Sequence, residues 1–193
     1  MLGIEDIPDP QVGPGGLLIR VRAAAINYPD VLIIEDRYQL KPARPFAPGG
    51  EIAGEVEAIG EGVEGWNVGD RVIAVTGFGG LAEKIIVPAR SAYRLPEERT
   101  FDEGAALLLT YATSIHALLD RGKLRAVQTL LVLGAAGGVG LAAVELGKAF
   151  EARVVAAVSS EEKAEAAREA GADEAIVYPS GPFDRDRQIA LAQ

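Results

Sequence analysis

The run Leu130-Leu131-Val132-Leu133-Gly134-Ala135-Ala136-Gly137-Gly138-Val139-Gly140 constrains the fold of this chain more than any other segment. Four aliphatic residues lead without a polar break into a turn of small residues, and that turn opens a stretch of helical pattern. A strand that passes through a tight turn into a helix gathers unpaired N–H groups at the helix start, where an anion is held. The pattern continues with a strand at 153–158, a helix at 161–170 and a strand at 175–178. Ser159 and Glu162 are spaced as a capping box for that helix, and Gly171 is its stop. The order β-α-β-α-β is one mononucleotide-binding half of a doubly wound parallel sheet. The tail from Pro179 to Gln193 is polar and predicts no further element.

Upstream the texture differs. Short alternating or apolar segments at 17–25, 51–59, 70–75 and 81–87 are separated by Pro48-Gly49-Gly50, Glu61-Gly62 and Gly77-Phe78-Gly79-Gly80, which predicts a compact β-rich unit. One short helix at 29–34 starts after Asn27, with Pro29 in the first turn, where a missing N–H costs nothing. After Pro96 a long apolar periodicity through Ala105, Leu108, Leu109, Ala112, Ile115 and Leu119 predicts a helix capped by Asp102 and ending near Gly122. The fold class expected is therefore α/β plus β. A β-rich domain spans residues 1–96 and a partial βαβαβ Rossmann domain spans 97–193.

Composition narrows the function classes. The 193 residues are 49% hydrophobic, enough for a substantial core. The formal charge of -9 comes from 28 acidic against 19 basic residues with no basic stripe, so nucleic acid is not an expected partner. No apolar run approaches about 18 uncharged residues and the N-terminus has no signal-like stretch, so the expected location is the cytoplasm, away from membranes. With no Cys and one His, a zinc centre would need carboxylates almost throughout, and no metal is expected.

In the dinucleotide fingerprint the first small residue makes the turn, the second admits the pyrophosphate and the third lets helix pack on strand. Ala135, Gly137 and Gly140 hold those places, and the N–H groups from Gly137 through Gly138 to Val139 are the expected anion donors. An NAD site usually ends its second strand with Asp or Glu for the ribose hydroxyls. This chain reads Val158-Ser159-Ser160-Glu161-Glu162-Lys163 there. Ser159 and Ser160 can donate to phosphate oxygens, Lys163 adds a positive charge one turn on, and Tyr178 can add a phenol, all of which favours NADP(H). The bland alternative makes Ser159 an N-cap and Lys163 a solvated side chain, with Glu161 and Glu162 as nearby opposing charge.

These residues resemble the zinc-independent branch of the medium-chain dehydrogenase/reductase superfamily, most closely its NADPH:quinone oxidoreductases. The resemblance rests on residues 25–30 (Ala-Ile-Asn-Tyr-Pro-Asp), 48–56 (Pro-Gly-Gly-Glu-Ile-Ala-Gly-Glu-Val), 68–72 (Val-Gly-Asp-Arg-Val), 79–83, 105–118 and 134–140. It implies a GroES-like catalytic domain joined to a Rossmann domain, with the active site in the cleft between them. In the zinc enzymes of that superfamily a His precedes the Glu of the Pro-Gly turn and a Cys sits near the place of Asn27. Here Gly50 precedes Glu51, which implies lost zinc sites and a structural role for Glu51 at its strand start. The family has a six-stranded Rossmann sheet, so this length implies a chain shortened at both ends, mainly the C-terminus. Its exposed sheet edge would favour a homodimer.

The same resemblance implies hydride transfer from NADPH to a quinone or an α,β-unsaturated carbonyl without metal. Asn27 and Tyr38 would line the substrate side, polarising a small apolar carbonyl through neutral donors, and Thr113 would contact the nicotinamide. Each has a structural alternative. Asn27 can cap the helix at Pro29, Tyr38 can pack on Pro42 and Phe46, and Thr113 can back-bond to a helical carbonyl. His116 reads as a packing residue. Two other functions stay open: reduction of enoyl thioesters, and a non-catalytic NADPH-binding or interaction module.

Overall fold

The structure is a computed structural model and describes residues 2–178. The chain divides into two compact units, Met1–Leu109 and Thr110–Gln193. Residues from Pro179 onward, where the sequence predicts a polar tail, lie outside the described residues.

The first unit is built on a five-stranded antiparallel sheet in the order β4-β1-β2-β3-β5. Its strands are β1 (Gly16–Ala25), β2 (Glu51–Ile59), β3 (Arg71–Val75), β4 (Lys84–Pro88) and β5 (Ala92–Arg94). The segment expected as a strand from residue 81 begins only at Lys84, and the three-residue β5 is too short to leave an alternation in the sequence. Leu17, Ile19, Ile52, Val56, Val72 and Val87 fill the core and are essentially unexposed. Gly54 admits no side chain, because a β-carbon there would lie 2.2 Å from the Arg20 carbonyl oxygen of β1. The pairing of β1 with β2 runs to Ala25 opposite Glu51, which delivers Asn27 to the start of β2.

Helix α1 (Tyr28–Ile34) follows Asn27, its N-cap residue. Helix α2 (Phe101–Ala105) packs on β1, β2 and β3 with Ala105 against Ala53, Ile73 and Leu95, so residues 97–109 belong with the antiparallel sheet. Its cap is Thr100 rather than the expected Asp102. Thr100 Oγ1 accepts from the Glu103 N–H at 3.2 Å and Glu103 Oε2 accepts from the Thr100 N–H at 2.8 Å. The Thr-x-x-Glu spacing carries that signal, and reciprocal capping satisfies two orphan donors where Asp102 alone would satisfy one.

The long helix expected from residue 102 to near 122 is broken. Wide π-helical turns at Leu108–Ala112 and His116–Arg121 flank a short α3 (Thr113–Ile115). Side-chain periodicity does not resolve such turns. The Leu109 N–H is drawn to the Glu51 carboxylate instead, at 3.1 Å.

The second unit carries the three-stranded parallel sheet β6-β7-β8, with β6 Thr129–Leu133, β7 Arg153–Val158 and β8 Glu174–Val177. Helices α4 (Gly138–Ala149) and α5 (Glu161–Glu169) make the crossovers. Val132, Val144, Val154, Ala156, Val158, Ala164 and Ala167 form the core. The aliphatic run of β6 predicts a buried strand, yet among the described residues it is covered on one face only, and Leu131 and Leu133 are 55% and 74% exposed. The cap of α5 is Ser160, whose Oγ accepts from the Lys163 N–H, rather than Ser159. That shift by one residue leaves the Ser159 hydroxyl for another partner.

Candidate functional site

In the first unit, the polar residues at the head of β2 form one connected group. Asp30, 3% exposed, accepts from the Asn27 N–H at 2.7 Å and from the Gly49 N–H at 3.1 Å, tying α1 to the turn before β2. Gly49 has φ +98°, and a β-carbon there would lie 2.5 Å from the Leu81 nitrogen, so the turn requires glycine. Thr76 Oγ1 donates to the Gly49 carbonyl at 2.9 Å, holding the turn from the other side.

Glu51 is fully buried and accepts from the Leu109 N–H through Oε1. Its Oε2 and the Asn27 Nδ2 are buried atoms without a hydrogen-bond partner. Burial pushes the Glu51 carboxyl above its ordinary value. The N–H groups of Leu109 and Leu108 and the Asn27 amide pull the other way, and the Asp30 charge adds to the rise. Asn27 occupies the N-cap of α1 as the alternative reading expects, in a capping box with Asp30: its side chain faces the Asp30 N–H while the Asp30 carboxylate accepts from the Asn27 N–H. Tyr38 lies half-buried in the bend after α1.

In the second unit, the glycine-rich turn is fastened to the central strand. The Gly134 and Ala135 N–H groups both donate to the Ala157 carbonyl, at 3.0 and 3.3 Å. Gly134 has φ +65°. The Gly137 N–H is used inside the turn, donating to the Gly134 carbonyl at 3.1 Å, and the first helical bond of α4 runs from Leu141 to Gly137. The donors left without a helical partner are therefore those of Gly138, Val139 and Gly140, one residue on from the set read in the sequence. A β-carbon on Gly137 would meet only the Gly134 oxygen at 3.6 Å, whereas one on Gly140 would lie 2.4 Å from it. Backbone thus stays open to a ligand at Gly137 and packs tightly at Gly140.

At the end of β7, Ser159 Oγ accepts from Lys163 Nζ at 2.9 Å, bringing a hydroxyl and a cation together. Ser160, as the cap, has its hydroxyl engaged at 3.4 Å. Tyr178 stands one residue beyond β8, its N–H donating to the Val158 carbonyl at 2.9 Å, beside Ser159 in register. Glu161 and Glu162 are exposed.

Thr113 is exposed on α3, while its neighbour Ser114, 1% exposed, donates from Oγ to the Val139 carbonyl at 2.9 Å. Sequence reasoning missed Ser114. A Ser inside a helical run carries no signal until its partner on α4 is known. Tyr111, in the π-helical turn before α3, donates to the Glu145 carboxylate of α4, and its phenol is held above its ordinary value by that bond. His116, expected as a packing residue, is exposed and paired with Asp120 at 2.8 Å.

Residues 13–97 match the alcohol dehydrogenase GroES-like domain, and residues 138–191 match the domain described as zinc-binding dehydrogenase. Rat quinone oxidoreductase is 38% identical over 178 residues, covering 92% of this chain and 54% of that protein. The chain belongs to the medium-chain dehydrogenase/reductase family.

Two further proteins show comparable similarity. Human synaptic vesicle membrane protein VAT-1 homolog is 41% identical over 169 residues, 88% of this chain and 43% of that protein. A solved quinone oxidoreductase from Thermus thermophilus, also crystallised as its NADPH complex, has a TM-score of 0.81 and 34% identity, covering 97% of this chain and 59% of its own. The chain spans about half the length of the curated relatives it matches.

The donor set does not fit the zinc that the second domain's description implies. The sequence has no Cys, its one His is the exposed His116, and no group of three metal-binding side chains lies together among the described residues. Glu51 is turned to main-chain N–H groups instead. The residues do fit a dinucleotide. Open backbone at Gly137, free N–H groups at the start of α4, and the Ser159–Lys163 pair are three complementary contacts for anionic groups.

Proposed function

We propose that this medium-chain dehydrogenase/reductase is an NADPH-dependent oxidoreductase that reduces a quinone or an α,β-unsaturated carbonyl without a metal, in the cytoplasm. The observation that carries the reading is the Ser159–Lys163 contact at the end of β7, beside a glycine-rich turn with free N–H groups. That pair is chemically suited to a 2′-phosphate, and Tyr178 next to it in register offers a further hydroxyl. The relatives named quinone oxidoreductase, one of them solved with NADPH, support the same assignment.

The cofactor supplies a hydride; the protein's share is to hold, orient and polarise. The N–H groups of Gly138, Val139 and Gly140 with the positive end of α4 hold the pyrophosphate, and Gly137 leaves room for its approach. Thr113 contributes a hydroxyl on the nicotinamide side. Asn27 lines the substrate side at the head of β2, and Tyr38 adds a phenol hydroxyl there to polarise the carbonyl. A substrate already electrophilic needs no stronger activation than such donors.

The test is NADPH oxidation by the full chain with a simple quinone, in wild type and Lys163→Glu. Wild-type turnover that falls sharply in the variant is the expected result. Equal consumption by both would remove the phosphate assignment. Turnover of an enoyl thioester without any of the quinone would reassign the substrate.

A further inference from the structure

Helix α4 begins on residues that hold a helix poorly. Its first three are Gly138, Val139 and Gly140, and its N-cap, Gly137, has no side chain to close the first turn. Glycine is among the weakest helix formers, a β-branched residue adds little, and an uncapped end frays. Better helix formers are shut out by geometry. Gly137 keeps the backbone open, and a β-carbon on Gly140 would strike the Gly134 carbonyl. The turn that offers the free N–H groups is therefore the part of α4 least able to hold itself.

Support comes from outside the helix. Ser114 of α3, 1% exposed, donates from Oγ to the Val139 carbonyl at 2.9 Å. Four residues earlier, Thr110 lies against the same turn, with Cγ2 3.2 Å from where a β-carbon on Gly138 would stand. A carbonyl has two lone pairs, so Val139 accepts this bond beside its helical one. Packing alone asks for no hydroxyl at position 114. An alanine would fill that buried place with no polar group to satisfy. The Val139 carbonyl and the Gly140 N–H belong to one planar peptide and point in opposite directions. A donor fixed on one end sets the aim of the other, and by polarising the peptide it strengthens the N–H as a donor.

We infer that Ser114 is a positioning residue, which holds the peptide joining Val139 to Gly140 from α3 and so keeps the Gly140 N–H aimed at the cofactor's pyrophosphate. The inference rests on the reading of the start of α4 as the pyrophosphate site. A second tie supplies the control. Tyr111 donates to Glu145, six residues further along α4 from Val139, and so docks the same stretch of chain without touching the turn.

Two readouts test it. In the cofactor-free protein the Leu141 amide, the first on α4 with a helical partner, reports opening of the turn in hydrogen exchange. Ser114→Ala is expected to speed its exchange about fivefold while the amides of residues 154–158 keep their wild-type rates. Equal speeding of both, or of neither, overturns the inference. In the second readout, NADPH and adenosine 2′-monophosphate, which carries the 2′-phosphate without the pyrophosphate, are titrated into the full chain. Ser114→Ala is expected to raise the NADPH dissociation constant about fivefold and to leave that of adenosine 2′-monophosphate within about twofold. Equal weakening of the two ligands, or unaltered NADPH binding, overturns the inference. Tyr111→Phe is expected to leave both ligands within about twofold, and a loss of NADPH affinity as large as that of Ser114→Ala would also overturn it. If adenosine 2′-monophosphate does not bind wild type, the Ser159–Lys163 assignment falls, and NADPH and the Leu141 amide decide. Absence of NADPH binding by wild type counts against the proposed function, and the Leu141 exchange then decides the inference by itself. Ser114→Cys, a weak donor of similar size, is expected to show a smaller change of the same sign and covers the case in which Ser114→Ala does not fold.

Discussion

Gly140 and Gly134 stand so close that a β-carbon at position 140 would lie 2.4 Å from the Gly134 carbonyl oxygen. At Gly137 the same construction gives ordinary contact at 3.6 Å. The two glycines therefore have separable roles. Gly140→Ala is expected to cost about 1–3 kcal/mol of stability, seen as a fall of several degrees in Tm. Gly137→Ala is expected to leave Tm nearly unchanged and to weaken NADPH binding by about tenfold or more, since its methyl group occupies the approach of the pyrophosphate. Differential scanning calorimetry and a fluorescence titration separate the outcomes. A Gly137→Ala protein that binds NADPH normally would contradict the turn's assignment.

Under the proposed function, Lys163 carries the cofactor choice. Reversing its charge beside Ser159 should raise the NADPH dissociation constant about tenfold and leave NADH within about twofold, because only the 2′-phosphate meets it. Titration with both cofactors at low ionic strength makes the comparison, and added salt should shrink the difference.

The pH dependence of stability has two opposed contributions. Burial raises Glu51 above its ordinary 4.5, so the folded state keeps that proton to higher pH than the unfolded chain. Stability from this group therefore falls as pH rises from about 4.5 through the raised value. Asp173 runs the other way. The Lys148 ammonium, followed by the Val154 N–H, lowers it below 3.8, so its stabilisation is present above that pH and is lost as pH falls through the folded value. Urea melts between about pH 3 and pH 8 should show Glu51→Gln removing the decline above pH 4.5, and Asp173→Asn flattening the acid limb.

Arg71 clamps the segment that leads into α2. Its guanidinium donates to the carbonyls of Pro96 and Glu97 at 2.9 and 2.8 Å and to that of Arg99 at 2.5 Å, and it lies 4.5 Å from the Phe101 ring centre. A lysine cannot span three acceptors and stack at once, so Arg71→Lys is expected to destabilise the first unit by about 1–2 kcal/mol. Denaturant midpoints of the two proteins measure it.

Much of this was legible in the residues. β2 and β7 begin and end where alternation and the aliphatic run place them, and the glycine-rich turn sits between β6 and α4 as its spacing requires. What was not legible depends on contacts distant in sequence. Glu51 reads as a strand-start residue until the Leu109 N–H, 58 residues on, is found against it. The same contact accompanies a π-helical turn that a smooth apolar periodicity conceals. Ser159 and Ser160 are chemically identical neighbours, and only backbone geometry decides that Ser160 caps α5 while Ser159 meets Lys163. The Thr100 cap is a different case, since its Thr-x-x-Glu signal was present and Asp102 competed with it.

The Gly134 and Ala135 N–H groups share one acceptor, the Ala157 carbonyl on the central strand of the parallel sheet. Opening the glycine-rich turn therefore means disturbing the strand that both neighbours pair with. Any ligand that grips the turn stabilises β7 by mass action, and the amides of residues 154–158 become its most sensitive reporters in hydrogen exchange. Occupancy of the turn can be read in this way without a single turnover.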